Sequence, residues 1–327
     1  MPKPCMPSES RSARWWSAVQ LLLLVTTLTF VGRALSRQWS DVREVVKQAQ
    51  VAWGWVVLAS VLVLLVHVAL VQSWRMVLDG WGSPLRFGAA VRIWTVSGLG
   101  KYVPGKLWSI GAMGLLTQRE GGSRVAAAGA ALLGTLLNLG AGFGVVALSG
   151  SSVLQTLDAS IRTLALFGAA IFVIGVLALP WFLPPVLERV ARWRGLPPLN
   201  AHLTPRTIWL ATLVNVFAWI GYGLAFMAFA HGVTPQIVGT PATFIAAYTA
   251  SYVVGYLALY APGGLGVREF ILTGLVVSLG LAKVPEATFL ALASRVWLTI
   301  LEVLPGLVSL PFTPSSARAK SDGSSSG

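Results

Sequence analysis

Two glycine-rich segments carry most of the charged residues that interrupt the apolar stretches of this sequence. The first is Gly100-Lys-Tyr-Val-Pro-Gly-Lys106. Its candidate binding residues are Lys101, Tyr102, Pro104, Gly105 and Lys106. Glycines leave backbone N–H groups accessible and two lysines add positive charge, so this segment is suited to binding a phosphate group.

The same segment shares its glycine and lysine spacing with an ATP-binding P-loop. Leu107 occupies the position where a Ser or Thr should bind magnesium, and no strand precedes the segment. Pro104 also lies inside the loop. We therefore expect phosphate binding here without ATP hydrolysis.

The second segment is Pro262-Gly-Gly-Leu-Gly-Val-Arg-Glu269. Its candidate binding residues are Pro262, Gly263, Gly264, Gly266, Arg268 and Glu269. The proline and glycines turn the chain, and Glu269 lies where a new helix begins, which the helix dipole favours. Arg268 is left to face a partner or a ligand. The alternative is that Arg268 and Glu269 only pair with neighbouring groups to close the turn.

Arg295 and Glu302 lie seven residues apart in the last long apolar stretch, and so on one face of a helix. A charge at the bilayer centre costs about 2.5–3.5 kcal/mol, so both residues must pair or line a polar cavity. With the two glycine-rich segments they predict one cavity with an excess of two positive charges, which favours an anionic headgroup. Its charged residues would be Lys101, Lys106, Arg268, Arg295, Glu269 and Glu302. The alternative is a set of ion pairs that fix both segments to the last helix.

The composition places these residues in a membrane protein. Of 327 residues, 55% are hydrophobic and 11% are charged, and the mean hydropathy is +0.74. A soluble domain would carry about 25% charged residues. The net charge of +13 lies mostly in short loops, which is typical of the positive-inside bias and of contact with anionic headgroups rather than with nucleic acid.

Catalytic and metal-binding patterns are missing from the sequence. One cysteine excludes an intrachain disulfide and a multi-cysteine metal site, and three histidines form no cluster with acids or serines. We therefore expect a transporter-like protein that is not an enzyme and needs no cofactor.

The hydropathy pattern predicts an all-α, polytopic membrane protein with about six spanning helices. The predicted spans are Trp16–Leu35, Val51–Val71, Val125–Ser149, Ile161–Leu183, Ile208–Ala230 and Ala287–Leu310. Two further apolar regions, 88–117 and 242–281, are broken by the glycine-rich segments, and we predict that each forms a re-entrant helical hairpin.

The order of these elements repeats along the chain. Residues 16–150 are predicted to form two spans, a re-entrant hairpin and a third span, in that order. Residues 151–312 repeat the same order. With the N-terminus in the cytoplasm, fourteen basic residues fall on the cytoplasmic side and six outside. The two hairpins then enter from opposite sides, which predicts an inverted-topology repeat with binding where the broken elements meet. Residues 1–15 and 313–327 are predicted to be cytoplasmic, the latter disordered.

The two glycine-rich segments resemble the paired signatures of the lysylphosphatidylglycerol synthase transmembrane, or flippase-like, family of bacteria and archaea. The resemblance spans roughly residues 16–312. It implies a polytopic lipid-handling fold with re-entrant helices in a prokaryotic cytoplasmic membrane. The synthases also carry a soluble aminoacyl-transferase domain, which this sequence does not contain, so lysyl transfer is not expected.

The resemblance and the predicted charges together favour a lipid translocase. Its partner would be an anionic lipid of the bilayer, either a phospholipid or a polyprenyl phosphate. One alternative is a non-catalytic scaffold that binds a membrane glycosyltransferase or a second copy of the chain. Another is a membrane-embedded lipid-modifying enzyme, which the missing catalytic groups disfavour.

Overall fold

The computed structural model describes residues 51–102, 107–150, 154–155, 159–194, 203–258 and 264–309, and all regular structure in them is helical. This confirms the predicted all-α class. The α-helices are α1 (Trp53–Gly80), α2 (Phe87–Gly98), α3 (Leu107–Arg119), α4 (Arg124–Ser149), α5 (Ala159–Arg194), α6 (Pro205–Val233), α7 (Pro241–Leu257), α8 (Val267–Ser278) and α9 (Val284–Ser309). A 3₁₀ helix, Leu99–Tyr102, follows α2 directly.

Within the described residues, four helices are long and apolar enough to cross a membrane: α1, α4, α6 and α9. They contain 26 to 29 residues each, and at 1.5 Å per residue each exceeds the hydrocarbon thickness of about 30 Å. All four coincide with predicted spans. The predicted span Trp16–Leu35 lies outside the described residues, and Ile161–Leu183 falls in α5, whose apolar stretch is the shorter Leu166–Leu179. The total of six therefore stays a prediction.

Two helices begin with the same pair of residues. Thr204 and Thr240 are each followed by proline at the first helical position. Each threonine hydroxyl accepts a hydrogen bond of 3.3 Å from a backbone N–H in the first turn, and proline has no N–H that would need a partner there. Thr-Pro therefore fixes where α6 and α7 start.

The two broken regions each contain two short helices, as the sequence predicts. In the first region α2 ends at Gly98 and α3 begins at Leu107. In the second, α7 ends at Leu257 and α8 begins at Val267. The four helices have 12 to 17 residues, fewer than the roughly 20 that a span needs. Whether each pair returns to its side of entry stays a prediction, as does the inverted repeat.

Two long helices connect the broken regions. Helix α4 packs against α3 and α7, and α9 packs against α2, the 3₁₀ helix and α8. Each therefore contacts both regions. The most extensive helix pair in the described part is α1 with α6. The opposite face of α1 is exposed and apolar (Val57, Leu58, Val61, Leu64 and Leu65), as expected for a surface in contact with lipid.

Small residues let α4 approach its neighbours closely. A Cβ atom at Gly140 would lie 2.2 Å from Cγ2 of Val176 on α5, so only glycine fits there. A Cβ atom at Gly142 would lie 3.1 Å from the indole nitrogen of Trp219 on α6. Gly134 lies on the same helix, six residues before Gly140. A Cβ atom added there would meet no side chain and no backbone of another helix within 4 Å. The missing side chain of Gly134 leaves open space instead of a helix contact.

Candidate functional site

A cavity of about 290 Å³ lies between α1, α2, α3, α4, α6, α7 and α9. Ligand pockets typically measure about 300–1,000 Å³, so this one has room for a small polar group. Its lining residues are His67, Leu70, Ser73, Trp74, Val77, Trp94, Ser97, Gly98, Ser109, Ile110, Met113, Ala130, Ala131, Gly134, Thr135, Asn138, Asn215, Trp219, Tyr222, Tyr252, Tyr256 and Glu302.

Both broken regions contribute to the wall of this cavity. Gly98 and Ser109 lie on either side of the first break, and Tyr252 and Tyr256 lie on the last turns of α7, just before the second. Helix α9 supplies Glu302. The cavity is thus where the described parts of the two broken regions come together.

The first glycine-rich segment is joined directly to this wall. Lys101 and Tyr102 form the end of the 3₁₀ helix, while Pro104, Gly105 and Lys106 lie outside the described residues. Lys101 follows Gly98 by three residues and Lys106 precedes Ser109 by three. Three residues span at most about 11 Å between Cα atoms, so the backbone of Lys101 lies close to the cavity.

The second glycine-rich segment is packed tightly against α7. Gly264 has φ +70°, and an added Cβ atom would lie 2.8 Å from the carbonyl oxygen of Gly255. Gly266, with φ +83°, precedes the first residue of α8. Both dihedrals favour glycine, because other residues are strained in the left-handed region. Pro262 and Gly263 lie outside the described residues.

Glu269 and Arg295 hold this segment to α9. One carboxylate oxygen of Glu269, Oε2, accepts a hydrogen bond of 2.6 Å from the backbone N–H of Gly266. The other, Oε1, lies 3.5 Å from Nε of Arg295 and forms an ion pair without a hydrogen bond. Neither residue is part of the cavity lining. For Glu269, this arrangement corresponds to the alternative in which its charge closes the turn.

Arg268 lies behind the cavity wall. Its side chain is buried, and its guanidinium carbon lies 4.9 Å from the ring centroid of Tyr248 and 4.5 Å from that of Tyr252. Both distances suit cation–π interactions. Its Nη2 finds no hydrogen-bond acceptor among the described residues. Glu302 and Glu269 both lie within electrostatic reach of the guanidinium.

Aromatic and amide side chains form most of the polar lining, and the charge-based prediction did not include them. Trp219 and Tyr252 are in edge contact, with centroids 5.2 Å apart. Asn138 on α4 donates a hydrogen bond of 3.0 Å to Asn215 on α6, so the two amides join these helices at the cavity wall. The sequence contains one usable signal: Tyr248, Tyr252 and Tyr256 recur every fourth residue and so share one face of α7.

Comparison with known protein families identifies the family to which this sequence is similar. The family model of the lysylphosphatidylglycerol synthase TM region matches residues 17–306, which include every described helix up to the last turn of α9. The match extends over both glycine-rich segments. No curated protein matches this chain.

Proposed function

Since the chain belongs to the lysylphosphatidylglycerol synthase transmembrane-region family, we propose that this multi-pass membrane protein is a lipid translocase. A phosphate-bearing headgroup enters the cavity while the acyl or prenyl chains stay among the apolar helix faces. The lipid partner is a phospholipid or a polyprenyl phosphate, in a prokaryotic cytoplasmic membrane with both termini inside.

The observation that carries this proposal is the polar cavity itself. Placing polar and ionisable groups inside a membrane costs free energy. Where such groups line a cavity, they mark a substrate pathway. Here Glu302, the two asparagines and several hydroxyl groups face one space of about 290 Å³. That space is bounded by interrupted helices, as binding sites of transporters with broken helices are.

The distribution of charge supports a phosphate close to the first break. Among the charges predicted for the site, Glu269 is paired with Arg295, and Arg268 lies within reach of Glu302. Setting Glu269 against Arg295 and Glu302 against Arg268 leaves the predicted excess of two positive charges on Lys101 and Lys106. These lysines bind the phosphate, and Arg268 adds a positive field from behind Tyr252. The protein uses no nucleotide or other cofactor, so transport is passive or ion-coupled.

Transport in liposomes tests this function. Fluorescent phospholipid or polyprenyl phosphate is placed in both leaflets, and a membrane-impermeant reductant reports how fast inner-leaflet label reaches the outside. We expect Arg268→Ala to abolish lipid movement while its level in the membrane stays normal. Arg92→Ala is the matched control, because Arg92 pairs with Glu120 away from the cavity. Normal transport by Arg268→Ala would contradict its role.

The lipid itself can be identified by mass spectrometry of co-purifying lipids. Wild type should enrich one anionic class, and the Lys106→Ala/Arg268→Ala double variant should lose it. Bulk lipid composition in both proteins would argue against a headgroup site. It would favour the alternative of a scaffold for a membrane glycosyltransferase or for a second copy of the chain.

A further inference from the structure

Glu302 places a carboxylate inside a helix that is long and apolar enough to span the membrane. Helix α9 ends at Ser309, so Glu302 lies about two helical turns before that end. It lines the cavity together with His67, and the described lining contains no other acid or histidine. Carboxylates that face a cavity within a membrane are typical of proton relays in transporters.

The ionisable groups that face Glu302 come from several helices. They are His67 on α1, Tyr222 on α6, Tyr248, Tyr252 and Tyr256 on α7, and Arg268 on α8. The 3₁₀ helix that packs against α9 carries Lys101. Other charges on the packed helices have partners of their own: Arg92 pairs with Glu120, and Arg295 with Glu269. Arg268 is thus a cation that lies within electrostatic reach of Glu302 and outside these two pairs.

The ionised form of Glu302 opposes a phosphate in the cavity. A phosphate diester accepts hydrogen bonds and needs donors, but the hydroxyls of Ser97 and Thr135 already donate to backbone carbonyls of their own helices at 3.1 and 2.9 Å. The indole N–H of Trp219 donates to the carbonyl of Asn138 at 2.8 Å. An ionised carboxylate only accepts, whereas a protonated one carries an O–H donor and no charge. Protonation of Glu302 therefore removes a repulsion and adds a donor.

Arg268 makes proton uptake and anion binding depend on each other. Its guanidinium lies between two tyrosine rings, and α8 is so close to α7 that a Cβ atom added at Gly255 would lie 2.9 Å from Cβ of Arg268. The positive charge therefore stays in place whether or not Glu302 is ionised. When Glu302 is protonated, that charge is unbalanced and attracts an anion. By linkage, a bound anion favours the proton to the same extent.

His67 is the other titratable group on the cavity wall outside the tyrosines. Its Nδ1 lies 2.8 Å from the carbonyl oxygen of Val63, so an Nδ1–H donates there. The ring meets Tyr222 edge-on, with centroids 5.9 Å apart. A neutral imidazole carries no charge that an anionic headgroup would oppose, whereas an ionised carboxylate does. The proton that headgroup binding requires therefore belongs on Glu302.

The cavity is closed in one direction, as coupled transport requires. On α6 its lining ends at Tyr222. Farther along this helix Phe226 and Phe229 are buried, and their ring centroids lie 6.1 Å from that of Phe244 and 4.5 Å from that of Trp297, respectively. These packed rings separate the cavity from the end of α6. A site that opens to one side at a time can move two substrates together.

We propose that the protein couples lipid movement to protons, with Glu302 as the proton carrier. Where the headgroup enters, a hydronium ion gives its proton to a carboxylate oxygen of Glu302, which leaves water and a neutral acid. Where the headgroup leaves, the acid returns the proton to water. One proton thus travels in the same direction as one anionic headgroup. This inference rests on the proposed function and adds its coupling ion.

The distribution of lipid between leaflets under a pH gradient tests the coupling. Liposomes with a trace of either fluorescent lipid of the transport assay are made about one pH unit more acidic outside, and potassium with valinomycin holds the membrane potential at zero. Symport of one proton per lipid predicts a plateau with about tenfold more label in the inner leaflet, because one pH unit is a tenfold difference in proton concentration. This plateau is independent of the direction in which the protein is inserted. Protein-free liposomes under the same gradient give the rate of spontaneous movement.

Three variants assign the proton. Glu302→Gln removes the titratable group at nearly constant size and should lose the enrichment of the inner leaflet. Glu302→Asp keeps a carboxylate and should retain the enrichment. Glu120→Gln is the matched control and should also retain it, because Glu120 is not part of the described cavity lining and pairs with Arg92.

Proton uptake on binding needs only the wild-type protein, so it does not depend on how a variant folds. Short-chain phosphatidylglycerol or geranylgeranyl phosphate is added to purified protein in weakly buffered detergent, and a pH-indicator dye reports the protons taken up. We expect uptake of up to about one proton per lipid bound. Binding without any proton uptake would overturn the proposal.

The remaining outcomes separate this inference from the function on which it rests. Equal label in both leaflets, reached faster than in protein-free liposomes, would overturn the coupling and leave the translocase proposal intact. Enrichment of the outer leaflet would overturn symport. Enrichment that survives Glu302→Gln would overturn the assignment to Glu302, and its loss in His67→Gln would then place the proton on His67. Equilibration no faster than in protein-free liposomes would overturn both proposals.

Discussion

Replacing Glu269 with glutamine removes a negative charge from beside Arg295 and leaves the shape of the site almost unchanged. The amide oxygen of glutamine can still accept the hydrogen bond from Gly266, so the start of α8 keeps its cap. What is lost is the charge of the ion pair between α8 and α9. The substitution therefore isolates the contribution of that pair to the free energy of unfolding.

The separation and burial of the pair give the expected magnitude. At 3.5 Å between Nε and Oε1, Coulomb attraction is about 5 kcal/mol at an effective dielectric constant of about 20. The side chains are 15% and 9% exposed, so solvent screens the pair little. Removing one partner of a buried pair costs about 3–5 kcal/mol. Arg295 has further contacts, so we expect a loss of about 3 kcal/mol.

A double-mutant cycle measures this coupling. Unfolding by SDS in mixed micelles, followed by circular dichroism, gives the stability of Glu269→Gln, Arg295→Gln and the double variant. The double variant should lose about as much as either single one, because the second change removes the charge that the first left unpaired. Additive losses within about 0.5 kcal/mol would refute the reasoning. Glu120→Gln, which breaks the more exposed pair with Arg92, is the control and should cost about 1 kcal/mol or less.

Two further changes test the packing around the site. Gly264→Ala should lower stability by about 2 kcal/mol or more, because its φ of +70° is strained for alanine and its Cβ would lie 2.8 Å from the backbone oxygen of Gly255. Gly274→Ala, which meets no atom within 4 Å, is its control, and equal thermal stability of the two variants would contradict the expectation. Trp297→Phe removes the 2.9 Å hydrogen bond from the indole N–H to the hydroxyl of Ser60, and it should lower the free energy of unfolding by about 1 kcal/mol. SDS unfolding measures this loss. Adding Ser60→Ala to Trp297→Phe should lower the stability little further, because the bond is already gone.

The breaks in the helices are predictable from sequence because glycine and proline act locally. Both interruptions fall where the glycine-rich segments lie, and α2, α3, α7 and α8 flank them. Span boundaries are also local, since hydropathy and length decide them. The number of spans is harder to predict, because the apolar stretch in α5 is short, at Leu166–Leu179.

The composition of the cavity wall could not be predicted from the same signals. Its residues come from seven helices that are distant in the sequence, and membrane helices are apolar on both lipid-facing and protein-facing sides. Hydrophobic periodicity therefore does not show which tryptophan faces a cavity. Small residues are equally ambiguous: Gly140 is required by the close approach of Val176, whereas Gly134 leaves open space.

For the charged residues, too, the helix face can be predicted from sequence, whereas the partner cannot. The sequence predicts that Arg295 and Glu302 share a helix face, but it cannot assign their partners. In the structure Arg295 pairs with Glu269, while Glu302 lines the cavity. The pairing depends on how α8 packs against α9, which is a tertiary property.

The pairing of α1 with α6 has a consequence for biosynthesis. Helix α1 ends at Gly80 and α6 begins at Pro205, so more than a hundred residues are translated between the completion of α1 and the start of its main partner. Translation adds about 5–20 residues per second, so roughly ten seconds pass between the synthesis of α1 and the start of α6. During that time the inward face of α1, which includes Ala59 and Val63, must be covered by lipid, by the insertion machinery or by α4. The first half of the chain therefore completes its packing only after much of the second half has been made.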